Sequence, residues 1–119
     1  MYFQHFLSIN KNPSADKDSS GSNFGEKVYA TMWGPSEFKA TGTLKNFNRL
    51  QELQKIKVPV LFTCGEYDEA RSSTVKYYQG LLPGSEFVII KNSGHMTMID
   101  NTEDNNKEIA NFLIKMEHK

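Results

Sequence analysis

Residues 58–68 read Val58-Pro59-Val60-Leu61-Phe62-Thr63-Cys64-Gly65-Glu66-Tyr67-Asp68, an apolar run that breaks at a glycine into an acidic turn. The run is apolar on both of its alternating faces and carries β-branched and aromatic residues. That is the pattern of a strand buried in a parallel sheet. Pro59 cannot donate to a ladder, so it belongs near the start of the strand expected over 58–64. Val75, Tyr78 and Leu82 then fall at helical spacing and predict a helix over 71–82, closed by Leu82-Pro83-Gly84. Glu86-Phe87-Val88-Ile89-Ile90 is a second expected strand. A last helix is expected over 102–117, with Thr102 as its N-cap and Ile109, Phe112, Leu113 and Met116 as its buried stripe. Two strands joined by a crossover helix pair in parallel, so this half reads as an α/β chain, a βαβα unit. Two strands alone leave an edge open, and an open apolar edge recruits self-association or a separately encoded N-terminal half.

Working outward, the first half is less apolar. Phe3, Phe6 and Leu7 are spaced for a short amphipathic helix within 1–9. Residues 10–23 are rich in Asn, Ser, Lys, Asp and Gly and read as a mobile loop. Val28, Met32 and Trp33 suggest the apolar side of a helix over 24–33, stopped by Gly34-Pro35. Residues 41–56 read as a turn and a short helix through Leu50, Leu53 and Ile56.

Composition excludes several classes. Fourteen basic side chains balance fourteen acidic ones in 119 residues, which gives no electrostatic footprint for nucleic acid or an anionic membrane surface. No apolar run approaches the ~20 residues a membrane span needs. The N-terminal residues lack a basic start and a small-residue cleavage site, so no signal peptide is expected. A single cysteine, Cys64, at the end of a buried strand fits a small packed hydrophobe and a reducing, cytoplasmic setting. No Cys, His and Asp cluster has metal-ligand spacing, and neither a metal nor a cofactor is expected.

The chemistry sits in the two loops that follow the strands. Gly65-Glu66-Tyr67-Asp68-Glu69 follows the first, and Asn92-Ser93-Gly94-His95-Met96 follows the second. Open α/β sheets gather their working site outside the carboxyl ends of the strands. Asp68 and His95 are 27 residues apart, enough for one helix and one strand between them. A carboxylate beside an imidazole fixes its tautomer and stabilises the imidazolium formed in proton transfer. In α/β-hydrolases the acid precedes the histidine along the chain, as here, and the nucleophilic serine precedes both in a G-x-S-x-G elbow. No such elbow exists in this sequence. Ser36 in Gly34-Pro35-Ser36-Glu37-Phe38 lacks the second glycine, and Ser22 in Gly21-Ser22-Asn23-Phe24-Gly25 misses the central position. Taken singly, Asp68 is also a turn former and His95 also a loop residue. Glu66 is expected to face the neighbouring helix, Met96, Met98 and Ile99 to pack under the histidine loop, and His5 and His118 to be solvent-exposed.

Four segments together resemble one family. Met32-Trp33-Gly34-Pro35-Ser36-Glu37-Phe38 with Thr41-Gly42-Thr43-Leu44, the run 58–69, Pro83-Gly84-Ser85-Glu86 and Ser93-Gly94-His95-Met96 are similar to proline iminopeptidases and the related tricorn-interacting aminopeptidases. The likeness covers about residues 24–117. It implies a C-terminal fragment of an α/β-hydrolase fold. Residues 1–40 would end a helical cap, and 41–119 would be the βαβα part that follows these cap-derived helices. It implies Asp68 as triad acid and His95 as triad base. Glu37 and Glu69 would hold the α-ammonium of a peptide substrate with a free N-terminus, and Trp33 would wall a pocket for its first side chain. It also implies that the serine, the oxyanion loop and the earlier strands lie outside this sequence. A bare surface role for the glutamates, and a non-catalytic remnant or binding module, are the competing readings.

Overall fold

The computed structural model describes residues 8–9, 25–36 and 39–118. They fall in two compact units, one of Met1–Pro13 with Leu50–Lys119, the other of Ser14–Arg49. The expected helix over 1–9 and the expected loop over 10–23 lie almost wholly outside the described residues.

In the larger unit, a 3-10 segment at Leu50–Lys55 leads into strand β1, Leu61–Gly65. Helix α2, Ser72–Leu81, crosses to strand β2, Glu86–Ile90. A short helix α3, Thr97–Asp100, precedes α4, Thr102–Glu117. (Helix α1 belongs to the smaller unit and is given below.) The strands are parallel, with Leu61 opposite Glu86 and Gly65 opposite Ile90. Among the described residues the sheet has these two strands, so each has one strand neighbour. Helix α2 packs on both strands and on the 3-10 segment, and α4 packs on β2.

The core is small. Cys64, Val75, Leu82 and Ile90 are the buried hydrophobic residues, with Ile90 1% exposed. Val75 and Leu82 are two of the three residues that predict α2. The stripe expected for α4 is not buried as a whole: Ile109 and Leu113 are exposed while Phe112 and Met116 are half-buried. The cause is width, because a two-stranded sheet is too narrow to cover a full helix face. Strand β1 begins at Leu61 rather than 58. Val58 is 69% exposed, and Val60 still accepts from the Glu86 N–H at 2.9 Å, so pairing starts there and not before Pro59. The cap of α4 is Asn101, whose side chain accepts from Asp104 N–H, one residue before the expected Thr102. Thr102 instead turns its hydroxyl back to the Met98 carbonyl.

At the amino ends of the strands lies a cavity of about 580 Å³, lined by Ile56, Val58, Pro59, Leu82, Phe112 and Met116 among others.

The smaller unit contains helix α1, Glu26–Met32, and a 3-10 turn at Thr43–Asn46 packed on it. Trp33 caps α1, and its carbonyl accepts from Thr41 N–H at 2.8 Å and Gly42 N–H at 3.1 Å. Gly34 has φ +89°, and a Cβ there would lie 2.1 Å from the Thr41 hydroxyl. The Trp33-Gly34 pair therefore makes a reversal that only glycine permits. Val28 and Met32, expected on an apolar side, are exposed.

Candidate active site

The two expected loops meet at the carboxyl end of the sheet, and main-chain hydrogen bonds zip them together. The ladder runs on past β1, because Glu66 N–H donates to the Ile90 carbonyl at 3.0 Å and Tyr67 N–H to the Ser93 carbonyl at 2.9 Å. Gly65 allows this closeness. A Cβ on it would meet the Gly94 carbonyl oxygen at 2.1 Å and that of Ser93 at 2.5 Å. Only a residue without a side chain fits between the two turns.

The acid is held by its own loop. One oxygen of Asp68, Oδ1, accepts from Ala70 N–H at 2.8 Å, and Oδ2 accepts from Gly65 N–H at 3.3 Å. These bonds fold the segment into an Asx-type turn that aims the carboxylate at the next loop. There His95 Nδ1 lies 3.1 Å from Asp68 Oδ1. The Asp68 side chain is 5% exposed and the His95 side chain 54%. With the carboxylate ionised, Nδ1 carries the proton of that bond, and Nε2 is left with a lone pair. A sheltered acid beneath an accessible imidazole is the arrangement a proton shuttle needs.

The histidine loop has several anchors. Asn92 takes a left-handed turn, φ +50°, and its N–H donates to Glu66 Oε2 at 3.0 Å. Glu66 thus ties the acid loop to the histidine loop instead of facing the neighbouring helix. Ser93 is fully buried, with its hydroxyl on the Ile90 carbonyl at 2.8 Å. Gly94 N–H donates to Asp100 Oδ2 at 2.8 Å. Under the loop, Thr97 Oγ1 donates to Asn105 Oδ1 at 2.9 Å, a buried polar pair. Met98 and Ile99, expected there, are exposed at 57% and 44%. Helix α3 turns them outward and puts Thr97 inward.

Cys64, at the base of the site, is buried, and burial pushes its thiol pKa up, with a smaller push from the Asp68 carboxylate. It is a packed thiol and not a reactive one.

Glu69 follows Asp68 on the same loop and is half-buried; among the described residues its carboxylate has no hydrogen-bond or ion-pair partner. Glu37 lies outside the described residues. Trp33 is half-buried in the smaller unit. His118 is exposed and His5 lies outside the described residues. Among the described residues there is no group of three or more His, Cys, Asp or Glu that could hold a metal ion. No described helix is long and apolar enough to cross a membrane.

The chain is similar to several known proteins. A proline iminopeptidase of Heyndrickxia coagulans is 37% identical over 114 residues, covering 95% of this chain and 40% of the relative. One of Saccharolobus solfataricus is 33% identical over 112 residues, covering 94% of this chain and 36% of the relative. Over nearly its whole length the chain matches the proline iminopeptidase type of α/β-hydrolase. It corresponds to a C-terminal part of that family and spans about two-fifths of the length of these relatives. The crystal structure of a Mycobacterium smegmatis proline iminopeptidase superposes with a TM-score of 0.79 at 27% identity, over 96% of this chain and 39% of that one. The two parallel strands are thus part of an α/β-hydrolase fold. No family model matches the chain.

Proposed function

We propose that this chain carries the acid–base pair of a serine aminopeptidase that removes N-terminal proline, or a small apolar residue, from peptides. The observation that carries the reading is the 3.1 Å contact between His95 Nδ1 and a sheltered Asp68 carboxylate. In the proposed reaction His95 Nε2 takes the proton of a serine hydroxyl as its oxygen attacks the substrate carbonyl. Asp68 stabilises the imidazolium. His95 then gives that proton to the departing amine, and the acyl group stays on the serine. Water, deprotonated by the same imidazole, releases the N-terminal residue. Glu69 and Glu37 hold the substrate ammonium, and Trp33 walls the first side-chain pocket. The chemistry calls for no metal and no cofactor, no nucleic acid and no membrane, and it suits a cytoplasmic peptide pool.

The nucleophile comes from elsewhere in this reading. The sequence has no G-x-S-x-G, and a separately encoded N-terminal half, or further chain preceding these residues, supplies the serine. The missing elbow equally favours a second reading, in which the chain is a non-catalytic remnant or binding module.

One experiment separates the two. The purified chain is incubated with a prolyl chromogenic amide and a fluorophosphonate probe, alone and with the portion of the H. coagulans relative that this chain does not span. The enzyme reading expects no turnover or labelling alone, and turnover with the companion. No turnover in a complex that forms favours the remnant. Labelling of the chain alone overturns the absence of a nucleophile.

A further inference from the structure

Asp100 is an acidic side chain bonded to the histidine loop that the reaction does not use. It ends α3, five residues past His95, and it is half-buried. Its Oδ2 accepts from Gly94 N–H at 2.8 Å and from Ile9 N–H at 3.0 Å, and its Oδ1 accepts from the Ser8 hydroxyl. Ser8 is itself buried. One carboxylate therefore joins the residue directly before His95 to a segment that lies 91 and 92 residues before Asp100 itself.

We propose that Asp100 is a positioning residue for His95, and that it makes the seating of the imidazole on Asp68 depend on the Ser8–Ile9 segment. The proposal rests on Asp68 and His95 being a working pair. The physical argument is one of degrees of freedom. Gly94 has no side chain to restrain it, and it precedes the histidine in a loop entered through a left-handed turn at Asn92. Ser93 is fixed by its own hydroxyl and by the Tyr67 N–H. The Gly94 N–H bond to Asp100 and the Ser93 carbonyl's bond from Tyr67 N–H hold the two edges of the Ser93–Gly94 peptide plane, the last plane before the Gly94–His95 unit from which the imidazole projects. A charged acceptor gives the stronger kind of hydrogen bond, and sharing one oxygen between Gly94 and Ile9 couples the two N–H groups. When Ser8 and Ile9 are in place the carboxylate is aimed. When they leave, the carboxylate loses these two donors and its hold on Gly94 is less directed. The seating of His95 is thus sensitive to whatever engages the chain around residues 8–9.

The test follows the ring nitrogens of His95 by ¹⁵N correlation spectra, which distinguish the Nδ1–H tautomer from the Nε2–H one. Asp68→Asn sets the scale for loss of the pair. Asp100→Ala is expected to lower the Nδ1–H population by about half, as an exposed imidazole regains its freedom. Asp100→Asn is expected to restore it. Its amide oxygen accepts from Gly94 and Ile9, and its NH₂ donates to the Ser8 hydroxyl with the roles reversed. A merely structural role would lower thermal stability in Asp100→Ala while leaving the tautomer of the folded fraction untouched, and that result overturns the proposal. If Asp68→Asn leaves the tautomer unchanged, the pairing of Asp68 with His95 fails instead. Should Asp100→Ala not fold, amide exchange decides. Gly94 N–H is expected to exchange at least about tenfold more slowly than an open loop amide, and at least about twofold faster in Ser8→Ala. Exchange at the open rate, or no response to Ser8→Ala, sinks it.

Discussion

The two ends of the β-sheet are built on opposite plans. At the carboxyl ends, two loops are drawn so close that a Cβ on Gly65 would sit 2.1 Å from a carbonyl oxygen, and Glu66, Asp68, Ser93 and Asp100 each accept or donate a hydrogen bond to main chain. At the amino ends the same strands open on a cavity of about 580 Å³ walled by Ile56, Val58, Phe112 and Met116. There Val58 is 69% exposed. A site that moves protons needs atoms fixed to a few tenths of an ångström, and tight polar turns provide that. The amino end has no such demand and stays loosely packed. Changes at the carboxyl rim should therefore act on geometry and be severe, and changes at the amino end should act on local backbone preference and be mild.

The severest should be at Asp68. In a complex that hydrolyses prolyl amides, Asp68→Asn is expected to lower kcat by about 10⁴-fold, through the wrong imidazole tautomer, with KM little changed. The stability of the isolated chain gives the control. A denaturant midpoint that moves as far as the activity does would mean that Asp68 holds the loop together rather than the proton. Next comes Gly65→Ala. The added methyl meets backbone oxygens on both sides, and these cannot swing away as a side-chain tip can. A loss of about 3 kcal/mol in urea unfolding is expected. A loss below about 1 kcal/mol would show that the rim yields, and the contrast between the two ends would lose its basis.

Much of this rim was legible in the sequence, because its signals are local. A doubly apolar run ending in Gly65 marks a buried strand and its exit. Asp68 three residues on, and Gly94-His95 after the next strand, mark two loops at one edge. What escaped the sequence depends on partners far along the chain. Glu66 reaches Asn92 across 26 residues, and Asp100 reaches Ile9 across 91. No spacing rule announces such pairs. Met98 and Ile99 misled for a related reason. Hydrophobicity alone points inward, but helix α3 sets their direction, and Thr97 took the buried place by pairing with Asn105. Ile109 and Leu113 carry a correct helical period on a face that two strands are too narrow to cover. Their exposure measures the sheet, not the helix.

Cys64 extends the comparison to pH. Its thiol lies under the acid loop, and burial, helped by the nearby carboxylate, raises its pKa in the folded chain. The sign follows from proton counting. Above the ordinary thiol value of about 8.5 the unfolded chain loses this proton while the folded chain keeps it. Stability is therefore whole below that pH and falls as pH rises through the folded value, at no more than about 1.4 kcal/mol per pH unit. The difference between wild type and Cys64→Ala in urea midpoints from pH 7 to 10 isolates this from tyrosine and lysine titration. A flat difference would mean that the thiolate is solvated in place and that the rim is wetter than its packing implies.

The mildest effects belong to the other end, and glycines measure them most cleanly because each test adds the same methyl group. Gly84, which lines the amino-end cavity, has open space around the position of its Cβ but a φ of +87°. An alanine there meets no atom and pays only for a left-handed backbone, about 1–2 kcal/mol. Gly80 has neither obstacle. It lies in the last turn of α2 with nothing within 4 Å of the added carbon, and its φ is that of a helix. Alanine at a mid-helix glycine gains about 0.5–1 kcal/mol by reducing the freedom of the unfolded chain. The last turn frays, so Gly80→Ala should realise about the lower half of that range. Three identical additions thus predict three outcomes in order: a large loss at Gly65, a modest loss at Gly84 and a small gain at Gly80. If Gly80→Ala destabilised the chain in urea unfolding, α2 would be more tightly covered near its end than its open surroundings imply. The looseness assigned to the amino end would then be wrong.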